Sequence, residues 1–233
     1  MIREAIILAG GLGTRLRSVV PELPACMAPV LAKPFIGYVV DHLYKQGVLR
    51  FIFSLGYKSA LLEQYLNTQY SNLDIVFSSE EEPLGTGGAV KLACPLLRDG
   101  DVFVVNGDSF FKIDLQKLGQ FHQSRQADCT LSLRKLRNFD RYGAVQLGED
   151  NRIQAFQERG FYREGLINGG VYALQAENFG SLPLPHKFSF ETDYLKQEAG
   201  KQAIYGLVQD GYFIDIGIPE EYELAQTELI LHL

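Results

Sequence analysis

The sequence predicts an α/β protein: a doubly wound, mostly parallel sheet with a small antiparallel subdomain beside it. Three observations predict it. Short continuous apolar runs alternate with longer amphipathic ones as far as residue 127. The first apolar run ends in a glycine-rich turn, and beyond residue 128 the helical rhythm gives way to closely spaced strand-like runs.

Ala5-Ile6-Ile7-Leu8 is apolar throughout, as a strand buried on both faces of a parallel sheet must be. Pro34 opens a helix in which Phe35, Val39 and Leu43, and beside them Ile36, Val40 and Tyr44, recur every fourth residue. Gly47 closes it. Residues 51–55 form the next strand, residues 59–67 the next helix, with Tyr57-Lys58 at its opening, and residues 73–77 a third strand. Gly85-Thr86-Gly87-Gly88 leads into a helix over 86–97. Residues 101–105 are a fourth strand that runs into Asn106-Gly107-Asp108, and Asp114 caps a helix over 115–126.

After residue 128 the spacing predicts strands at 129–136, 142–147, 153–157 and 170–174, with Gly148-Glu149-Asp150-Asn151 as a turn. Helices are expected at 190–198 and 219–231. The last of these puts Leu224 and Leu231 on an apolar stripe that packs either on its own sheet or on a second copy in a homo-oligomer. No repeat, low-complexity tract or Pro/Ser-rich linker divides the chain, so residues 1–233 read as one domain.

Composition narrows the class. With 46% hydrophobic and 21% charged residues the chain has the content of a globular protein and not of a disordered one. Its apolar runs fall far short of the ~20 residues that span a bilayer, so no membrane association is expected. The opening residues read straight into a strand, so no signal peptide is expected. Cys26, Cys94 and Cys129 have no CxxC spacing and read as reduced thiols of a cytoplasmic protein. A net charge of −6 argues against a nucleic-acid partner. That charge is uneven: residues 1–58 hold seven Lys/Arg against three Asp/Glu, and the remainder fifteen against twenty-five. A basic opening and an acidic remainder suit a site that takes an anion at one end and a metal at the other.

Three motifs carry chemistry. Leu8-Ala9-Gly10-Gly11-Leu12-Gly13-Thr14-Arg15-Leu16 follows the first strand; its glycines let backbone N–H groups turn toward an anion, and Arg15 adds a permanent cation. No Gly-Lys-Ser/Thr follows, so it is not a Walker loop, and Leu16 stands where a dinucleotide fingerprint would need its third glycine. Asn106-Gly107-Asp108 ends a strand, where open α/β sheets bind ligands and where Asp108 would offer Mg²⁺ a hard oxygen. Asp215, inside Tyr212-Phe213-Ile214-Asp215-Ile216-Gly217, is costly to bury without a partner, and a metal shared with Asp108 would be one.

Together, LAGGLGTRLRSVVPELP, EPLGTGG, NGDSFF, RYGAV, LINGGVY and YFIDIGIPEEY resemble the sugar-1-phosphate nucleotidylyltransferase family across nearly the whole chain. The resemblance implies a Rossmann-like nucleotidyltransferase fold with a nucleotide-binding part over 1–127 and a sugar-phosphate-binding part over 128–233. Arg17-Ser18-Val19-Val20, Glu82 to Gly88 and Lys187-Phe188-Ser189-Phe190-Glu191 are most similar to members that guanylylate a heptose 1-phosphate. The implied reaction joins GTP to heptose 1-phosphate and releases pyrophosphate, with Mg²⁺ as cofactor. Its nucleophile, a phosphate oxygen, is largely ionised near pH 7 because the second phosphate pKa is about 6. No Ser/His/Asp triad is therefore needed; in-line positioning and charge neutralisation are.

By the same resemblance Leu8, Ala9, Gly10, Gly11, Gly13, Thr14 and Arg15 contact the nucleotide, and Asp108 and Asp215 hold the metal. Gly85 and Thr86 meet base and ribose, while a carboxylate from Glu80 or Glu82 accepts the guanine N1–H and N2–H₂ donors. Asn106, Gly143, Glu158, Asn168 and Glu191 line the sugar pocket, Glu158 and Glu191 accepting from hydroxyls and Gly143 leaving room for the ring. Two further readings stay open: a mannose or glucose 1-phosphate nucleotidylyltransferase using another base, and a non-catalytic nucleotide-sugar binding protein.

One position departs from the family. Its members continue the opening motif through a proline-lysine pair, and here the pair is Pro24-Ala25. Ala25 supplies neither charge nor donor where a triphosphate-binding lysine is expected, so turnover should be impaired. Two origins fit. One is a deliberate lysine-to-alanine change that traps ligands, which we favour because alanine removes a side chain without disturbing the backbone. The other is a chain that draws the charge from another cation such as Lys33.

Overall fold

The computed structural model describes residues 1–11, 13–56 and 59–233. Leu12 of the glycine-rich turn, and Tyr57-Lys58 at the expected helix opening, lie outside the described residues. In the first half β1 (Glu4–Leu8) leads through a short 3-10 turn (Ala25–Met27) to the two-residue strands β2 (Pro29–Val30) and β3 (Lys33–Pro34). Then come α1 (Phe35–Lys45), β4 (Arg50–Leu55), α2 (Ser59–Gln69), β5 (Asp74–Ser79), α3 (Gly85–Ala93), β6 (Asp101–Asn106), β7 (Ser109–Phe111) and α4 (Leu115–Ser124). The second half holds β8 (Cys129–Phe139), β9 (Val145–Leu147), β10 (Ile153–Phe156), β11 (Tyr162–Gln175) and α5 (Ala176–Ser181). A wide π-type turn (Phe190–Leu195) runs into α6 (Lys196–Glu198), followed by β12 (Ile204–Val208), β13 (Phe213–Asp215) and α7 (Pro219–Glu228).

β1 lies at the middle of the parallel part, paired on one side with β4, which continues to β5, and on the other with β6. Its continuous apolar sequence has a direct consequence. Ile7 enters one core with α1, α2, α4 and α7, while Ile6 enters a second core with α3, α5 and the 190–195 turn. Phe51 and Phe53 against Ile52 divide in the same way on β4. Each such fully covered side chain contributes about 1.5–3 kcal/mol, so both faces need apolar residues and alternation is lost.

The expected helix cap at Asp114 forms: its Oδ1 accepts the Lys117 N–H at 2.9 Å. The doubly wound, mostly parallel sheet is present, and the antiparallel strands extend it instead of standing apart. β11 runs antiparallel to β6 through Val171–Gln175 and to β8 along most of its length, with a register shift between Asn168 and Tyr172. β12, which the sequence reading missed, pairs parallel to β8. The strand expected at 142–147 contracts to Val145–Leu147, and the helix expected at 190–198 opens into the π-type turn. Phe179, Phe190 and Tyr194 pack there with ring centroids 4.9–5.5 Å apart, and that aromatic contact outweighs regular helical spacing.

α7 buries Ala225, and Leu229 follows it into the core, but Leu224 is 41% and Leu231 76% exposed. The expected stripe therefore does not pack on its own sheet. No helix among the described residues is long and apolar enough to cross a membrane.

Candidate active site

Two cavities share Asn106 and Asp108 at the carboxyl end of β6, beside the end of β1. This is where the strand order reverses, β1 leading to β4 and β5 on one side while β6 lies on the other. The first cavity, about 320 Å³, is walled by Leu8, Ala9, Gly10, Gly11, Gly13 and Ala25 from the opening segment and by Glu80, Gly85 and Thr86 opposite. The second, about 430 Å³, takes Arg15, Asp140, Arg141, Tyr142, Arg159, Asn168, Glu191 and Asp215.

The opening loop is held open by backbone bonds. The Ala9 N–H donates to Ser54 O at 3.0 Å and the Gly107 N–H to Leu8 O at 2.9 Å, which pins the loop over β4 and β6. Gly13 has φ +56°, and a Cβ there would stand 3.2 Å from the Cβ of Ala25, so the turn needs glycine and brings Ala25 to the cavity wall. Thr14 is exposed and outside the lining, and Arg15 projects into the second cavity instead of the first. The positively charged end of the loop thus faces the carboxylates.

β7 and β13 bring those carboxylates together. Asp215 pairs in register with Ser109, and the Ile216 N–H donates to Asp108 O at 3.0 Å. The Asp108 carboxyl is pushed up to about 6, by loss of solvent first and by the Asp215 charge second, against lowering by its own backbone N–H, Arg15 and the Ser109 hydroxyl. The Gly217 N–H fixes Oδ1 of Asp215 at 2.9 Å. A buried carboxylate with a second carboxylate beside it is what a divalent cation offsets. Among the described residues no group of three or more His, Cys, Asp and Glu side chains converges on one point. Phosphate oxygens and water would complete the shell of an ion held here.

On the nucleotide side Glu80 lines the cavity and its Oε2 accepts the Leu84 N–H at 3.1 Å. Glu82 does not reach the cavity: its carboxylate is 74% exposed and 3.7 Å from His186. Thr86 lines the wall, and its Oγ1 accepts the Phe190 N–H at 2.9 Å, tying the nucleotide wall to the segment that carries Glu191. The sequence reading missed Cys26, Ser54, Pro83 and Ala89 in this lining. Cys26 follows Ala25 directly, but burial pushes its thiol up to about 12, and it is no nucleophile.

On the sugar side Asn168 donates to Glu191 Oε1 at 2.6 Å and to the Tyr172 hydroxyl at 2.7 Å, an oriented pair of acceptor and donor facing the cavity. Two expected residues have other work. The Glu158 carboxylate is 90% exposed and paired with Lys196 at 3.0 Å, because the 157–159 turn carries it outward. Gly143 is not among the residues lining the second cavity, and a Cβ there would stand 2.3 Å from Gln157 O, so glycine lets the 143–145 and 155–157 segments approach. Gly143→Ala is expected to lower stability by about 1–3 kcal/mol through this overlap. Thermal melts together with KM for the sugar phosphate check it, and a raised KM with unchanged melting would return Gly143 to the sugar site. Arg141 and Arg159 were also missed, although Arg141 lies in the RYGAV motif and Arg159 follows Glu158.

A cleft of this kind, with a glycine-rich loop after the first strand, two neighbouring carboxylates and a polar second chamber at the carboxyl end of a mostly parallel sheet, suits an enzyme that works on phosphate compounds. The model of the nucleotidyl transferase family matches residues 4–230, and the chain belongs to that family. It is a nucleotidylyltransferase. Among its relatives, the D-glycero-α-D-manno-heptose 1-phosphate guanylyltransferase of Aneurinibacillus thermoaerophilus is 49% identical over 97% of this chain and 98% of its own. The Campylobacter jejuni protein of the same name is 41% identical over 94% of this chain and 96% of its own. The crystal structure of HddC from Yersinia pseudotuberculosis, complexed with GMP-PN, superposes with a TM-score of 0.87 at 36% identity, covering 98% of this chain and all of that one.

Proposed function

We propose that the chain transfers GMP from GTP to D-glycero-α-D-manno-heptose 1-phosphate, giving GDP-heptose and pyrophosphate. The observation that carries this reading is the sharing of Asn106 and Asp108 by two cavities, one against the glycine loop and one against Asn168 and Glu191. A nucleoside triphosphate in the first and a sugar phosphate in the second would meet at Asp108. A phosphate oxygen of the sugar attacks the α-phosphorus, the bond to the β-phosphate oxygen breaks, and pyrophosphate leaves with that electron pair.

In this reading Gly10, Gly11 and Gly13 turn backbone N–H groups to the triphosphate. Arg15 offsets charge on the reacting phosphates from the sugar side, and Asn168 with Glu191 orients sugar hydroxyls. Asp108 and Asp215 would hold Mg²⁺, which when bound neutralises charge on the α-phosphate and the attacking oxygen. All lining residues of the first cavity precede residue 127, consistent with a nucleotide-binding part over 1–127 and a sugar-phosphate-binding part over 128–233. The exposed Leu224 and Leu231 leave a face for a second copy, and a homo-oligomer working in the cytoplasm is part of the proposal.

Pyrophosphate release from GTP, UTP, dTTP and CTP against heptose, mannose and glucose 1-phosphates tests the whole reading. GTP with heptose 1-phosphate should give the highest kcat/KM. Faster turnover of a hexose 1-phosphate with another base would replace this reading with the broader one. Base choice should rest on Glu80 and not Glu82. Glu80→Gln keeps a carbonyl for Leu84 but loses a charged acceptor, so preference for GTP over UTP should fall by about 1.5–3 kcal/mol, while Glu82→Gln leaves it unchanged. Equal discrimination in both variants would assign guanine recognition to the backbone of residues 84–88.

A further inference from the structure

Arg141 lies between two carboxylates. Its Nη2 is 3.6 Å from Oδ2 of Asp215, and its Nη1 is 2.7 Å from Oε1 of Glu221 in the first turn of α7. The closer contact is not a directed hydrogen bond: Nη1 is shut off from solvent and has no acceptor in hydrogen-bond geometry among the described residues. Below it, the Tyr142 ring centroid is 5.2 Å from the guanidinium carbon. The guanidinium is thus half-buried, with Nη1 shut off from solvent, and is shared by two anions. Arg15 lines the same cavity, its Nη2 3.5 Å from where a Cβ on Gly217 would stand.

We propose that Arg141 is a positioning residue shared by the Asp215 and Glu221 carboxylates while no divalent cation is bound, and that Glu221, already the nearer partner, is the anchor that keeps its guanidinium when a cation arrives and takes Asp215. The inference rests on the reading of Asp215 as a metal ligand. A guanidinium and a divalent ion repel one another at a single carboxylate, so the ion can reach Asp215 only if Arg141 has somewhere else to pair. Glu221 provides that place from the first turn of α7. Its role is to keep the guanidinium without touching the metal.

The test is Mn²⁺ titration of the nucleotide-free protein, followed by the free-ion electron paramagnetic resonance signal. Glu221→Gln leaves Arg141 with Asp215 as its one ion-pair partner among the described residues, and Mn²⁺ binding should weaken about fivefold or more. Arg141→Met removes the competitor, and binding should tighten or stay unchanged. The double variant should match Arg141→Met, because Glu221 acts only through Arg141. Arg141→Lys, which keeps the charge, should stay within about twofold of the parent. Weakening in both single variants, or a double variant still weaker than Arg141→Met, would overturn the inference. Asp215→Asn separates the two ideas. If it binds Mn²⁺ as the parent does, the metal reading fails and this inference with it; if it loses Mn²⁺ while Glu221→Gln changes nothing, only the role of Arg141 fails.

Discussion

Asp108→Asn and Asp215→Asn each lose Mg²⁺-dependent pyrophosphate release by about 10³-fold or more, with the fold intact. Asp215 ends β13 and Asp108 immediately precedes β7 in a ribbon held by backbone bonds such as Ile216 N–H to Asp108 O at 3.0 Å, so an amide in place of a carboxylate leaves the ribbon standing. A variant that keeps more than a few per cent of the parent rate would remove that side chain from the metal site. Asp108→Asn has a second effect of opposite sign. Desolvation first, and Asp215 second, raise the folded carboxyl to about 6 from an ordinary 3.8. A raised folded value means that the protonated group favours folding fully below about pH 4, and that this contribution is lost as the pH rises through 6. At neutral pH the ionised parent therefore carries a cost of roughly 3 kcal/mol that asparagine avoids. In chelator, Asp108→Asn should melt higher than the parent at pH 7.5 and lose most of that advantage at pH 4. Equal shifts at both pH values would show that the charge is not the source.

Ala25→Lys is expected to raise kcat for pyrophosphate release by about 10²-fold or more, the scale of one cationic donor aimed at developing charge. Ala25 lies on the wall of the first cavity, and no Lys or Arg is among that cavity's described lining residues. Lys33, the other cation considered, is not free to compensate: its ammonium pairs with Asp41 and sits 4.4 Å over the Tyr38 ring, outside the lining. Arg15 faces the second cavity, which leaves the leaving-group side without a fixed positive charge among the described lining residues. A parent enzyme that already turns over rapidly and gains nothing from Ala25→Lys would dismiss this position from catalysis.

By itself the sequence determined the elements whose physics is local. Ala5 to Leu8 and Phe51 to Leu55 are apolar without interruption, and a segment with that pattern is stable only where both its faces are covered, which forces a parallel central sheet. Gly10, Gly11 and Gly13 next to Arg15 specify a tight turn after β1 because glycine backbone can turn there, whatever follows in the chain, and all three line the first cavity. Asp108 and Asp215 were legible as a pair because a carboxylate among Phe213, Ile214 and Ile216 must find compensation.

What only the tertiary structure decided is where flexible side chains point and which distant segments touch. Glu80 and Glu82 are alike in sequence, yet one meets Leu84 in the cavity and the other meets His186 outside it. Glu158 turns to Lys196, and Gly143 serves a backbone approach to Gln157. Arg141, from a motif read for its neighbours, stands between Asp215 and Glu221, eighty residues on in sequence at the far carboxylate. β12 escaped notice because its partner β8 is contributed by a segment some seventy residues earlier. A charge has no periodicity, and its partner is set by packing between elements. The physical reason is that local pattern selects an element and its buried face, whereas the direction of a long polar side chain is chosen by whichever charge the assembled fold places within reach.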